Sequence, residues 1–151
     1  MERGAVWALY FIHSNGVTRI NLSYSETGKT TYRLPILVSG STKNDRDITV
    51  KIGIDADTLR TLNIARFSSR EDLWYREMPS KHYSFPETVQ IKAGENVGYL
   101  DIEFDLTGLD LVDKWVLPLT IEDAPNGEYK PNYRKHYRKA LLRVMPFNDY
   151  S

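Results

Sequence analysis

Cysteine is absent from this chain. That absence excludes disulfide staples, zinc–thiolate sites, iron–sulfur clusters and thiol nucleophiles. Net charge is missing too, since twenty Lys and Arg balance twenty Asp and Glu. No whole-molecule field is available to draw in DNA, RNA or an anionic membrane, so a nucleic-acid partner is not expected. Long apolar runs are also lacking. The longest, Ala5 to Ile12, falls far short of the ~20 residues that cross a bilayer. Arg3 ahead of it imitates the start of a signal peptide, but no small-residue cleavage site follows, and Tyr10 and His13 suit such a segment badly. It reads as a strand, and any export signal is expected outside these residues. The long amphipathic helices of βαβ units are missing as well, which argues against a parallel sheet.

What is present is a period of two. Ile48, Val50, Ile52 and Ile54 alternate with Thr49, Lys51, Gly53 and Asp55, the signature of a half-buried strand. Further rows are Ile20-Leu22-Tyr24, Tyr32-Leu34-Ile36-Val38, Leu100-Ile102-Phe104, Trp115-Leu117-Leu119-Ile121 and Ala140-Leu142-Val144. On the Trp115 strand, Val116, Pro118, Thr120 and Glu122 point the other way. Val6–Ile12 and Val89–Ile91 complete about eight strands. Asn15-Gly16 is a tight-hairpin signal, and Thr27-Gly28-Lys29, Ser39-Gly40-Ser41, Ala93-Gly94-Glu95 and Asn126-Gly127 mark further turns or loops. Pro35 and Pro118 cannot donate to a ladder, so their strands should be edges there or carry bulges. The expected fold is a single domain, residues 1–151, built as an all-β, immunoglobulin-like antiparallel sandwich of 7–9 strands. A short helical insertion is expected near residues 56–66, with Asp57 or Thr58 as N-cap and Leu59, Leu62 and Ile64 on its apolar side.

Candidate chemistry is sparse. Gly28-Lys29-Thr30 ends like a phosphate loop, but Ser23 stands where the motif needs glycine, so it reads as a turn. His13, His82 and His136 share no ligand spacing, and no metal or cofactor is expected. Asp101, Glu103 and Asp105 project from one strand face and read as a solubilising row rather than a glycosidase pair, which must converge across a sugar. A calcium ion at the Asp105–Asp113 loop is a lesser reading. Two aromatic groups are the candidate ligand contacts. Trp74, Tyr75 and Tyr83 either stack on a sugar or cover the open end of the sandwich, and covering is the favoured role. Tyr129, Tyr133 and Tyr137 are interleaved with Lys130, Arg134, Lys135, Arg138, Lys139 and Arg143. They read as a hairpin arm whose tyrosines pack on the sheet while its cations stay solvated, with carbohydrate or another anionic partner, and then single-stranded nucleic acid, as the alternatives.

The run Met78-Pro79-Ser80-Lys81-His82-Tyr83-Ser84-Phe85-Pro86, then Val89-Gln90-Ile91-Lys92-Ala93-Gly94-Glu95, resembles an LP-x-x-x-Y…I-x-A-G pattern. Trp115-Val116-Leu117-Pro118-Leu119-Thr120-Ile121 resembles its Y-V-L-P-L-x-I strand, and Ser39-Gly40 after an apolar strand fits as well. Over roughly residues 6–145 the chain is similar to the N-terminal domain-of-unknown-function modules of Bacteroidetes surface lipoproteins, which precede concanavalin-like lectin or family 18 glycosidase domains. The resemblance implies a non-catalytic spacer in an exported, cell-surface glycan-utilisation protein, adjoining another domain and reaching the membrane only through an upstream lipid anchor. A carbohydrate-binding module is the alternative. It carries over no catalytic residue. Asp57-Thr58-Leu59 also resembles the O-glycosylation signal of exported Bacteroidetes proteins.

Overall fold

A computed structural model describes residues 8–11, 17–24, 28–39, 47–110, 112–122, 130–131 and 138–148. The chain forms the expected all-β sandwich. In chain order its strands are β1 (Ala8–Phe11), β2 (Val17–Tyr24), β3 (Lys29–Ser39), β4 (Ile48–Ile54), β5 (Arg76–Glu77), β6 (Tyr83–Ser84), β7 (Thr88–Ile91), β8 (Val97–Asp105), β9 (Trp115–Ile121), β10 (Lys130–Pro131) and β11 (Lys139–Asn148). One helix, α1 (Ala56–Phe67), and two 3-10 turns, Glu71–Leu73 and Ser80–His82, fall between β4 and β6. The strands of four residues or more are the ones the alternation marks. The two-residue strands β5, β6 and β10 are too short to show a period.

The first sheet runs β10-β1-β3-β8-β6, and the second runs β2-β11-β9-β4-β7 with β5 also on β9. Alternation sets the two inner faces. Leu9, Phe11, Leu34, Ile36, Leu100, Ile102 and Phe104 of the first sheet meet Ile20, Leu22, Ile48, Val50, Ile52, Leu117, Leu119, Ile121, Ala140, Leu142 and Val144 of the second. Each fully buried Val, Leu, Ile or Phe contributes about 1.5–3 kcal/mol of transfer free energy, which makes this layer the main source of stability.

Pairing departs from expectation. No two consecutive strands form a ladder among the described residues. Apart from β4 and β5, which α1 connects, each strand is followed by one in the opposite sheet. Asn15-Gly16 lies outside the described residues, but the strands it separates, β1 and β2, sit in different sheets. The connection is therefore a crossing and not a hairpin. β3–β8, β1–β3, β4–β7 and β9–β11 are antiparallel, yet β2 pairs with β11 in parallel, from Val17↔Leu141 to Tyr24↔Asn148. β1–β10 and β5–β9 are parallel as well.

The two prolines lie on interior strands. Pro35 pairs with Tyr99 of β8, one residue past the Ile36 end of the described β1 pairing. Pro118 falls between Trp115–Val116, which pair with β5, and Leu119–Ile121, which pair with β4. Its carbonyl still accepts from the Asp55 N–H at 3.0 Å.

α1 covers the outer face of the second sheet. Leu59 packs on Val116 and Leu141, with Leu62, Val17 and Tyr75 around them. Val116 and Pro118 do point away from the sandwich core, as expected, yet both are buried, Val116 against Leu59 of the helix. Ile64 is 49% exposed, because at ~100° per residue it stands about 140° around the helix from Leu59. Asn63 takes its place on the covered side. The N-cap is Asp55, whose carboxylate accepts from the Thr58 N–H at 3.2 Å and the Thr58 hydroxyl at 2.8 Å. Neither Asp57 nor Thr58 is the cap. Thr58 instead spends its hydroxyl on Asp55.

Candidate functional site

On the outer face of the first sheet Lys29, Thr31, Arg33, Ser84 and Glu103 are exposed, and the register of β3, β8 and β6 determines how they stand. Antiparallel partners share a face. Lys29↔Asp105, Thr31↔Glu103↔Ser84 and Arg33↔Asp101 therefore form successive rows. Two adjoining hollows of about 390 and 440 Å³ lie over these rows and share Thr31, Ser84 and Glu103. Lys29, Lys81 and Asp105 border one end, while Asp101, Phe85 and Pro86 border the other. Pro86 stands two residues past the end of the edge strand β6, which it cannot extend.

The three acidic groups of β8 have different partners. Arg33 grips Asp101 with two bonds, at 2.8 and 3.1 Å, and these hold its carboxyl below the usual carboxylate range. Arg33 also lies 5.0 Å from the Tyr99 ring centre. The Thr107 backbone N–H, 3.1 Å from Asp105 Oδ1, and then the Thr107 hydroxyl hold Asp105 below its ordinary value. Among the described residues Glu103 has only the Ser84 hydroxyl at 3.5 Å, the outer limit of a hydrogen bond. Its acceptor capacity is nearly unspent.

The structure does not bring Trp74, Tyr75 and Tyr83 onto one face. Trp74 is half-buried beside α1, its indole N–H donating to the Ser68 carbonyl at 3.2 Å. Tyr75 packs in the cluster under the helix, with Phe67 at 5.9 Å, Lys114 at 5.3 Å and Arg143 at 5.8 Å from its ring. Tyr83 pairs with Phe104, packs against the core between the sheets and stacks on Phe85 at 5.9 Å and 12°. Burial, and then the charge of Glu77, push its phenol up. Tyr75 and Tyr83 are thus half-buried in different places, one under the helix and the other against the core between the sheets.

Tyr129, Tyr133 and Tyr137 lie outside the described residues, as do His13 and His136. The described cations of that arm are not solvated as expected. Arg138, Lys139 and Arg143 are half-buried, Lys139 pairs with Asp55, and Arg143 stands over Tyr75. β11 runs through the middle of the second sheet, so its outward cations fall under the helical insertion.

His82 is buried, with Nδ1 at 2.8 Å from the Asp105 carbonyl oxygen. A carbonyl only accepts, so Nδ1 carries the proton. The ring pins the Ser80–His82 turn to β8. In the Asp105–Asp113 loop the carboxylates are spent on the protein itself: Asp110 accepts from the Val112 N–H, and Asp113 accepts from the Lys114 N–H and pairs with Arg76. Among the described residues no three His, Asp or Glu side chains are placed to hold a metal ion. No helix there is long and apolar enough to cross a membrane.

The trough was not legible beforehand. Thr31 and Ser84 carry no motif, and only the register places them on either side of Glu103.

Residues 9–125 match the family model described as a domain of unknown function, DUF4973. No curated protein matches the sequence. Among solved structures, a Bacteroides ovatus protein of unknown function is 51% identical, with a TM-score of 0.81, over 97% of this chain and 48% of its own. A multidomain B. ovatus protein including DUF1735 is 50% identical, TM-score 0.81, over 95% of this chain and 46% of its own. An auxiliary nutrient binding protein from Bacteroides thetaiotaomicron is 45% identical, TM-score 0.81, over 91% of this chain and 46% of its own. The chain spans about half the length of these relatives.

Proposed function

The chain belongs to the DUF4973 family of domains of unknown function, and from that premise we propose that it is a non-catalytic accessory module of a multidomain glycan-handling protein. The observation that carries this reading is its likeness to an auxiliary nutrient binding protein of which it spans less than half. A domain of this kind works beside another one. The finer part of the proposal is that the parent protein is an exported lipoprotein at the cell surface. There the module would hold a lectin-like or glycosidase neighbour away from the membrane.

The carboxylates of the first sheet support the non-catalytic part. A glycosidase needs an acid whose pKa is raised, set across a sugar from a second carboxylate. Asp101 and Asp105 are both lowered, and they stand with Glu103 along one strand. Direct carbohydrate binding is the second reading, and the open trough over Thr31, Ser84 and Glu103 favours it.

The test compares the parent protein with and without this module in the native host. The expected result is that deletion lowers growth on the cognate glycan while the purified neighbour keeps its activity in solution. Surface protease should reach the module in intact cells. Release of reducing sugar by the isolated chain would overturn the non-catalytic reading, and protection from surface protease would overturn the location.

A further inference from the structure

We propose that the trough over β3, β8 and β6 is a subsite for a neutral, hydroxyl-rich polysaccharide, with Glu103 as its central acceptor. This rests on the glycan-accessory reading and says which surface does the binding.

Three observations carry it. The first is commitment. Of the three carboxylates in the row, Arg33 occupies Asp101 and Thr107 occupies Asp105, while Glu103 keeps a single contact at 3.5 Å. An ionised carboxylate is acceptor-only and accepts two hydroxyl donors well, in charge-assisted bonds stronger than neutral ones. Neighbouring hydroxyls on one sugar ring supply such a pair of donors.

The second observation is what flanks Glu103. Thr31 and Ser84, its partners in register on either side, are hydroxyl groups that donate or accept as required. Lys81 adds a donor at one end, and the apolar Pro86 rim at the other suits the C–H face of a sugar. Hollows of about 390 and 440 Å³ lie at the lower end of the range for small-ligand sites. That is room for a few sugar units lying along the sheet.

The third is charge. Lys29, Arg33 and Lys81 face Asp101, Glu103 and Asp105, so the trough is neutral as a whole. A polyanion would gain no net attraction, because each cation is matched by a carboxylate. A neutral sugar meets donors and acceptors with no net repulsion.

The experiment is native affinity electrophoresis of the purified chain in gels containing yeast mannan, dextran, xylan or chondroitin sulfate, with calorimetry on any polymer that retards it. The expected result is retardation by at least one of the three neutral polymers and an affinity about tenfold weaker for Glu103→Gln, which is about 1.4 kcal/mol. Thr31→Ala should lose less, and Gln90→Ala, on the second sheet, nothing. Circular dichroism melts must show Glu103→Gln folded, as expected for an exposed side chain. Retardation that survives Glu103→Gln but is lost in Trp74→Ala would overturn the trough and keep glycan binding. Stronger binding to chondroitin sulfate would overturn the neutral class. No retardation by any polymer would overturn the subsite and leave the spacer role standing.

Discussion

Asn63 acts as a strand partner for Tyr75. Its side-chain Oδ1 accepts from the Tyr75 N–H at 2.8 Å and its Nδ2 donates to the Tyr75 carbonyl at 2.9 Å. The amide is 3% exposed, so these bonds form where water cannot replace them. They fasten α1 to the segment that leads into β5.

Asn63→Ala should therefore cost more than a surface change. It leaves a donor and an acceptor of Tyr75 unpaired, and each carries a penalty of about 1–3 kcal/mol. A loss of about 3 kcal/mol is expected in urea denaturation, seen as a lower midpoint at constant slope. A loss under about 1 kcal/mol would mean that the amide does not hold the helix in place.

Asp55 and Lys139, 84 positions apart, are joined by an ion pair with side chains only 19% and 18% exposed. Burial pushes the Asp55 carboxyl up, but hydrogen bonds from Lys139 and Thr58 outweigh it, and the group ends below its ordinary value. A carboxylate lowered on folding stabilises above its unfolded pKa of about 4 and stops doing so as pH falls through the folded value. Asp55→Asn keeps a capping side chain and removes the charge, leaving Lys139 unpaired, at a cost of about 2 kcal/mol near neutrality. The gap in melting temperature between the two proteins should be flat from pH 7 to 5 and close below about pH 4. A gap that widens in acid would reverse the sign and refute the pairing.

Arg33→Ala supplies the contrast. Its pair with Asp101 is doubly bonded, at 2.8 and 3.1 Å, but the side chains are 62% and 47% exposed. Exposed pairs contribute about 0–1 kcal/mol and are screened by salt. Only a small drop in melting temperature is expected, shrinking further in 1 M NaCl. A larger loss that persists in high salt would make Arg33 a packing residue, through the Tyr99 ring.

These three sites show what the sequence discloses and what it withholds. Alternation in Ile48–Ile54 or Leu100–Phe104 reports which face a side chain takes, because the strand period is two. It does not report which strand lies alongside. Arg19 meets Arg143, and Lys29 meets Asp105, through ladders that join distant segments across two sheets. Local turn chemistry at Asn15-Gly16 suggested a hairpin because it carries no information about the sheet its second strand joins. The same gap hid the trough, since Glu103 becomes distinctive only once Thr31 and Ser84 flank it. Asp55 does not read as a cap, because it ends the β4 alternation and begins the helix at once. Lys139 reads as a surface cation until α1 covers its strand.

Gly98 and Gly94 are close in sequence but should fail for different reasons when substituted. Gly98 sits on β8, buried, where an added Cβ would meet Ile91 Cγ1 at 2.6 Å and Val89 Cγ1 at 3.1 Å from the opposite sheet. Gly98→Ala should cost about 1–3 kcal/mol by overpacking. Gly94 has nothing within 4 Å of that position but holds φ at +85° in the β7–β8 turn. Gly94→Ala should cost about 1–2 kcal/mol through backbone strain alone. A double-mutant cycle separates the causes. Ile91→Ala removes the obstructing Cγ1 and should recover part of the Gly98→Ala loss, with a coupling of at least about 0.5 kcal/mol. It should recover none of the Gly94→Ala loss. Equal coupling at both glycines, or none at Gly98, would show that β7 does not press on β8 there and that the two sheets meet differently at that end of the sandwich.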